Sequence, residues 1–152
     1  MLSLLIRRMR GDQMRIICLD GCAEMDVNNR LAQLCNEICV KDMVTYIPTE
    51  QVAEILPTLN SNGEPLYIIG QQLENCAGID GMKLSSLVCQ GDNSGTIFVL
   101  WCKNIKAAKQ YFQINTWTSM KRRICLEMGN PSDFDQNFVG TAQGTAKGYR
   151  AL

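Results

Sequence analysis

"EPLYIIGQQLENCAGIDGMKL", residues 64–84, reads as a buried strand, a loop and the start of a helix. Leu66, Tyr67, Ile68 and Ile69 form a short apolar run between Pro65 and Gly70, the pattern of an interior strand in a parallel sheet. In open α/β sheets the loops beyond the carboxyl ends of the strands carry the active groups. Here that loop opens Gly70-Gln71-Gln72, which supplies no acid, no nucleophile and no metal ligand.

The flanking chain repeats the strand-then-helix pattern. "MRIICLD" (14–20) is a β-branched apolar run ending in an acid, hence a first strand. Asp26 can cap a helix in which Val27, Leu31, Leu34 and Ile38 recur at helical spacing. "MVTYIPT" (43–49) is a shorter strand broken by Pro48. A second helix follows from Thr49, with Val52, Ile55 and Leu59 on one face and Pro57 ending or bending it. The opening strand comes third, and residues 82–90 form a third helix with Leu84, Leu87 and Val88 directed inward. "GDNSG" (91–95) reads as a loop, "TIFVLW" (96–101) as a fourth buried strand and "KNIKAAKQ" as a short fourth helix. "YFQI" (111–114) is a brief fifth strand. "TWTSMKRRICLEM" is a fifth helix with Trp117, Met120, Ile124 and Met128 at helical spacing.

Five alternations of strand and helix, joined by right-handed crossovers, imply a doubly wound five-stranded parallel sheet in a three-layer α/β sandwich. The predicted organisation is a leader (1–13), one α/β domain (14–128) and an extended or mobile carboxy-terminal arm (129–152) in which "GTA" recurs at 140–142 and 144–146.

Composition narrows the function classes. The chain has 152 residues, 46% of them apolar, enough for one domain with a full core. Fifteen basic and fifteen acidic residues give zero formal charge, which argues against a dedicated nucleic-acid binder. No stretch approaches the roughly 20 apolar residues that span a bilayer. In the leader the arginines follow the apolar Leu-Leu-Ile cluster, the reverse of a signal peptide, so a cytoplasmic protein is expected. Eight cysteines are spread without a CxxC pair and without any histidine, so they read as small core residues in a reducing compartment rather than as a zinc site. Neither a metal nor a cofactor is expected.

The element order, the acid at the tip of strand one and "IDGMKLSSL" after strand three together resemble a response-regulator receiver domain, which is flavodoxin-like in fold. Ile79-Asp80-Gly81 matches the turn that opens that family's third helix, and Met82, Lys83 and Leu84 match the helix start. The resemblance covers residues 14–128. It implies a pocket of two acids after strand one, an aspartate after strand three, a hydroxyl residue after strand four and a lysine after strand five, holding magnesium and accepting phosphate. This chain departs from that set. Asp20 occupies one acidic position, but its neighbour is Gly21. The acceptor position falls on Gly70 or Gln71, the hydroxyl position on Trp101 or Cys102, and the lysine position on Asn115 or Thr116. Magnesium usually takes at least one or two protein carboxylates, and neither Gly70 nor Gln71 can form an acyl phosphate. The resemblance is therefore to a degenerate receiver, or pseudo-receiver, with a residual pocket of Asp20, Gly70, Gln71, Cys102 and Asn115.

Three functions are open at this point. The first is a signalling or regulatory module that works without phosphorylation, through a protein partner or a second copy of itself. The resemblance points to the face around the fifth helix, where Lys121, Arg122 and Arg123 form a basic stretch beside Trp117; the bland reading is a solvated face with Trp117 in the core. The second is a thiol enzyme using Cys22, which lies after strand one near the expected amino end of helix one, where a thiol's pKa falls. Against it, the small-phosphatase pattern wants an arginine six residues on, and position 28 is Asn28. Glu24 and Asp26 could add carboxylates to Asp20, although their spacing singles out neither. The third is an assembly subunit that wraps a neighbour with its leader and arm.

Overall fold

The computed structural model describes residues 14–22, 29–37, 44–59 and 62–102, together with Lys106, Lys109, Phe112, Thr116, Trp117 and Met120. The expected leader, Glu24, Asp26, Asn115, Lys121, Arg122, Arg123 and the carboxy-terminal arm lie outside these residues.

Four strands form one parallel sheet: β1 (Arg15–Asp20), β2 (Thr45–Ile47), β3 (Leu66–Gln71) and β4 (Thr96–Trp101), in the order β2-β1-β3-β4. β1 lies between β2 and β3, with Cys18 opposite Tyr46 on one side and Ile69 on the other. Its residues from Ile16 to Asp20 are all buried, as its run of apolar side chains requires of a strand covered on both faces. Pro48 ends β2 after three residues, because proline cannot donate to the ladder.

Among the elements whose bounds are described, three α-helices flank the sheet: α1 (Arg30–Cys35), α2 (Thr49–Ile55) and α3 (Gly81–Ser94). Strand alternation sorts the core into two clusters. On one face Ile16 and Cys18 pack under Leu31 and Cys35 of α1. On the other, Ile17, Leu19 and Ile68 pack with Val52 of α2 and Leu84 of α3. The molecule is thus an α/β protein with helices on both faces of a parallel sheet.

Several elements differ from expectation for identifiable reasons. α1 is capped by Asn29, whose side chain accepts from the Ala32 N–H, and it buries Leu31, Ala32 and Cys35 while Leu34 is exposed. α2 passes at Pro57 into a 3-10 turn over Leu56–Thr58, since the proline ring disallows another α-helical bond. α3 runs through Gly91 to Ser94, where a loop was expected, and stops at Gly95, which takes the left-handed conformation at φ 70°. Gly91 serves a packing need: a Cβ there would lie 2.6 Å from the Thr96 carbonyl oxygen. Asp80 does open α3 as expected, its Oδ1 accepting from the Met82 N–H at 2.8 Å.

β4 is less buried than its composition suggests, with Ile97 and Trp101 exposed on one face. Of the expected fifth strand only Phe112 is described. It lies in a bend and is buried against the α2–α3 side of the sheet, and no strand beyond β4 occurs among the described residues. Trp117 and Met120 pack partly buried against that same cluster, and the Met120 N–H donates to the Thr116 carbonyl, one helical turn.

Candidate functional site

The site lies at the carboxyl ends of β1 and β3, where the chain has moved to opposite sides of β1 and the sheet can open a ligand crevice. Among the described residues, backbone bridges the ends of β1, β3 and β4 here. The Gly21 N–H donates to the Gln71 carbonyl at 2.7 Å, which carries the ladder one residue beyond β1. Gln72 then turns the chain in the left-handed conformation, φ 47° and ψ 44°, and its N–H donates to the Trp101 carbonyl at 2.7 Å. That turn lays the Gln72 carbonyl over Gly21. A Cβ at position 21 would stand 2.0 Å from the Gln72 oxygen and 2.8 Å from the Gln71 oxygen. The second acid of a receiver pocket therefore has no room here.

Asp20 is fully buried and is held entirely by neutral donors in the contacts it shows. Its Oδ1 accepts from the Cys22 N–H at 2.9 Å. Its Oδ2 accepts from Asn29 Nδ2 at 2.6 Å and from the Tyr46 hydroxyl at 2.7 Å. Its carbonyl accepts from the Thr49 hydroxyl at 2.9 Å, and that hydroxyl also lies 2.8 Å from the Cys22 carbonyl. These bonds tie the β1 loop, the α1 cap and β2 to the Asp20 side chain, and the start of α2 to its main-chain carbonyl. Thr49 thus braces the loop rather than capping α2, whose N-cap is Pro48.

Gln71 faces Asp20 across the strand pair, and its Nε2 donates to Cys22 Sγ at 3.2 Å and to Asn29 Oδ1 at 3.4 Å. Asp20, Gln71, Cys22, Asn29 and Tyr46 form one polar cluster. Gly70 and Cys102 belong to the opposite side of the sheet. A Cβ on Gly70 would meet side-chain atoms of Leu100 and Leu73, each at 2.8 Å. Cys102 borders a cavity of about 10 Å³, room for one water, between Leu73, Leu84 and Phe112. Burial, reinforced by the Glu74 carboxylate, pushes the Cys102 thiol up to about 12. The expected pocket residues are therefore divided by the sheet, with Asp20 and Gln71 on one side and Gly70 and Cys102 on the other.

Cys22 is half-buried, and α1 starts eight positions later, with its first turn already capped by Asn29. The helix-end activation expected of that thiol has no counterpart in the described residues. Cys76 lies below the same loop, its Sγ 4.0 Å from the Asp20 carbonyl. Burial, then the Asp20 and Cys22 charges, push it up to about 11.

Asn29 and Tyr46 are the two members of the cluster that sequence reading does not single out. Asn29 carries one usable signal, an Asn directly before an apolar-periodic stretch. Tyr46 reads only as an ordinary strand residue. Among the described residues, no three histidine, cysteine or acidic side chains converge as a metal site, and no helix is long and apolar enough to cross a membrane.

Among the described residues, the arrangement is a parallel α/β sheet with the Gln72 carbonyl laid over Gly21 at the carboxyl ends of β1 and β3. Compared with models of protein families, with curated proteins and with solved structures, the chain matches none.

Proposed function

We propose that this chain is a phosphorylation-independent, receiver-like regulatory module that acts by binding a protein partner. In this reading the layout is the doubly wound, flavodoxin-like one, with the fifth strand drawn from the chain after β4. The observation that carries the proposal is the filled position beside Asp20: the Gln72 carbonyl occupies the space a second carboxylate would need. With Asp20 committed to Cys22, Asn29 and Tyr46, and Gln71 in an acceptor position, the carboxylate set for magnesium and phosphate is incomplete. What remains is a rigid loop frame, suited to contact rather than group transfer.

The test is an amide-resolved NMR titration of the full chain with beryllofluoride and magnesium, and separately with acetyl phosphate and magnesium. The expected result is an unchanged spectrum at Asp20, Gly21 and Gln71–Leu73. Shifts centred on those residues would overturn the reading.

A further inference from the structure

We propose that residues 2–9 of this chain dock as an amphipathic helix on the part of the sheet that α1 leaves open, over Ile97, Val99 and Trp101 of β4. The inference stands apart from the receiver-like reading, since it rests on an apolar face that the polar cluster does not use.

The composition of β4 is that of a strand covered on both faces, an apolar run without a charge. Its pairing sets Ile97 beside Tyr67 and Val99 beside Ile69, and those rows continue to Ile16 and Cys18 on the face that carries α1. Phe98 and Leu100 point the other way, into the cluster under α2 and α3. Among the described residues α1 is the one helix packed on the first face, and it lies over β1 and β2. Over β4 that face stays open: Ile97 is 45% exposed, Trp101 54% exposed and Val99 half-buried.

The leader has the side chains to cover it. Leu2, Leu5, Ile6 and Met9 recur at i, i+3, i+4 and i+7, one apolar stripe of a helix, and Arg7, Arg8 and Arg10 all fall outside that stripe. The opposing row of Ile97, Val99 and Trp101 carries no charge, so the stripe meets it while the arginines stay in water. The lengths agree as well. Leu2 to Met9 covers about 10 Å at the rise of a helix, and Ile97 to Trp101 covers about 13 Å at the rise of a strand.

The attachment point suits this placement. Arg15 opens β1 opposite Leu66, which in turn lies opposite Thr96, so the leader joins the sheet at the end where Ile97 lies. β4 is two strand spacings away, about 10 Å, and the chain from Met9 to Met14 reaches up to about 17 Å. Gly11 and Asp12 are residue types suited to the turn between helix and strand. Met9 then sits near Ile97 and Leu2 near Trp101. Later segments fit this face less well. Ile124 and Met128 continue the spacing of Trp117 and Met120, which pack on the opposite face, and residues 129–152 carry no sustained apolar period. A helix this short is marginal alone in water, so the sheet must supply its stability.

The test is fluorine NMR of the full chain carrying 5-fluorotryptophan at Trp101 and Trp117, with Trp101→Phe to assign the two signals. Broadening by a soluble gadolinium chelate reads the exposure of each ring. Ile6→Glu, within the stripe, should raise the broadening of Trp101 severalfold. Leu4→Glu, on the far side of the helix, should leave it at the parent value, and Trp117 should be unchanged in both variants. Light scattering at the same concentration should give the mass of one chain, 17.0 kDa. Equal broadening of Trp101 in the parent chain and Ile6→Glu would overturn the proposal. So would shielding that comes with a doubled mass, which gives the face to a second copy. Shielding that appears only with anionic phospholipid vesicles would give the stripe to a membrane surface and overturn it too.

Discussion

Gly21 and Gln72 touch through backbone alone: a Cβ on residue 21 would stand 2.0 Å from the Gln72 carbonyl oxygen and 2.5 Å from its carbonyl carbon. Neither atom belongs to a side chain that could swing away. Gly21→Ala should therefore destabilise the fold by about 3 kcal/mol, the upper end for forcing atoms into packed space. Urea denaturation of both proteins checks this. Gly21→Asp should be at least as damaging and should gain no magnesium-dependent phosphorylation; a stable variant that accepts phosphate from acetyl phosphate would contradict the account of the site.

Asp20 should behave as the anchor of its cluster. Tyr46→Phe removes one hydroxyl donor to a buried carboxylate and should cost about 2 kcal/mol. Asp20→Ala removes the acceptor that the Asn29 amide and the Tyr46 hydroxyl share and should cost about 4 kcal/mol. Because the two changes share one contact, the double variant should fall short of the sum, a coupling that denaturation midpoints can read. Strict additivity would show that Tyr46 and Asp20 do not act as a unit.

Cys76 and Cys102 make the fold sensitive to alkali. Burial raises both thiols, to about 11 and about 12, so the folded protein keeps these protons after the unfolded chain has begun to lose its own near 9.0. Between those values the folded state binds more protons, and stability falls as pH rises. The contribution is fully present below pH 9 and is lost progressively towards pH 12, with a slope of at most about 1.4 kcal/mol per pH unit for each thiol. Denaturation midpoints between pH 8 and 11 should drop, and Cys76→Ala should flatten that slope. An unchanged slope would remove Cys76 from the explanation.

Gly91 should reverse the usual helix rule. Replacing a glycine inside a helix by alanine ordinarily gains up to about 1 kcal/mol. Here the new methyl group would meet the Thr96 carbonyl oxygen at 2.6 Å and the Phe98 ring at 3.3 Å. Gly91→Ala should lower the melting temperature, and a rise would show that α3 can shift away from β4 at little cost.

The strands were legible because each carries its own signal. "RIICLD" and "TIFVLW" are β-branched or aromatic runs, and Pro48 marks the end of β2 wherever the strand lies in the sheet. Asp80 was placed at the start of the third helix only through the resemblance; that its side chain caps the helix, by a local bond to the Met82 N–H, is seen in the structure. Gly91 was misread because composition cannot tell a glycine that ends a helix from one that lets a helix approach a strand. The Asp20 cluster was hidden for a different reason. Asn29 and Tyr46 reach the carboxylate from 9 and 26 positions away, and only the parallel pairing of β1 with β2 brings the tyrosine alongside. Gly21 gave no warning either, since its role depends on a carbonyl 51 positions further along the chain.

The brevity of β2 has a consequence for how these molecules behave at high concentration. An outer strand normally offers a row of unpaired amide groups on which another chain can build. On the β2 side that row is three residues long and is closed by a proline without an amide hydrogen. Among the described residues, a neighbouring strand docking there would find few bonds to hold its register, which makes that edge a poor template for cross-β growth.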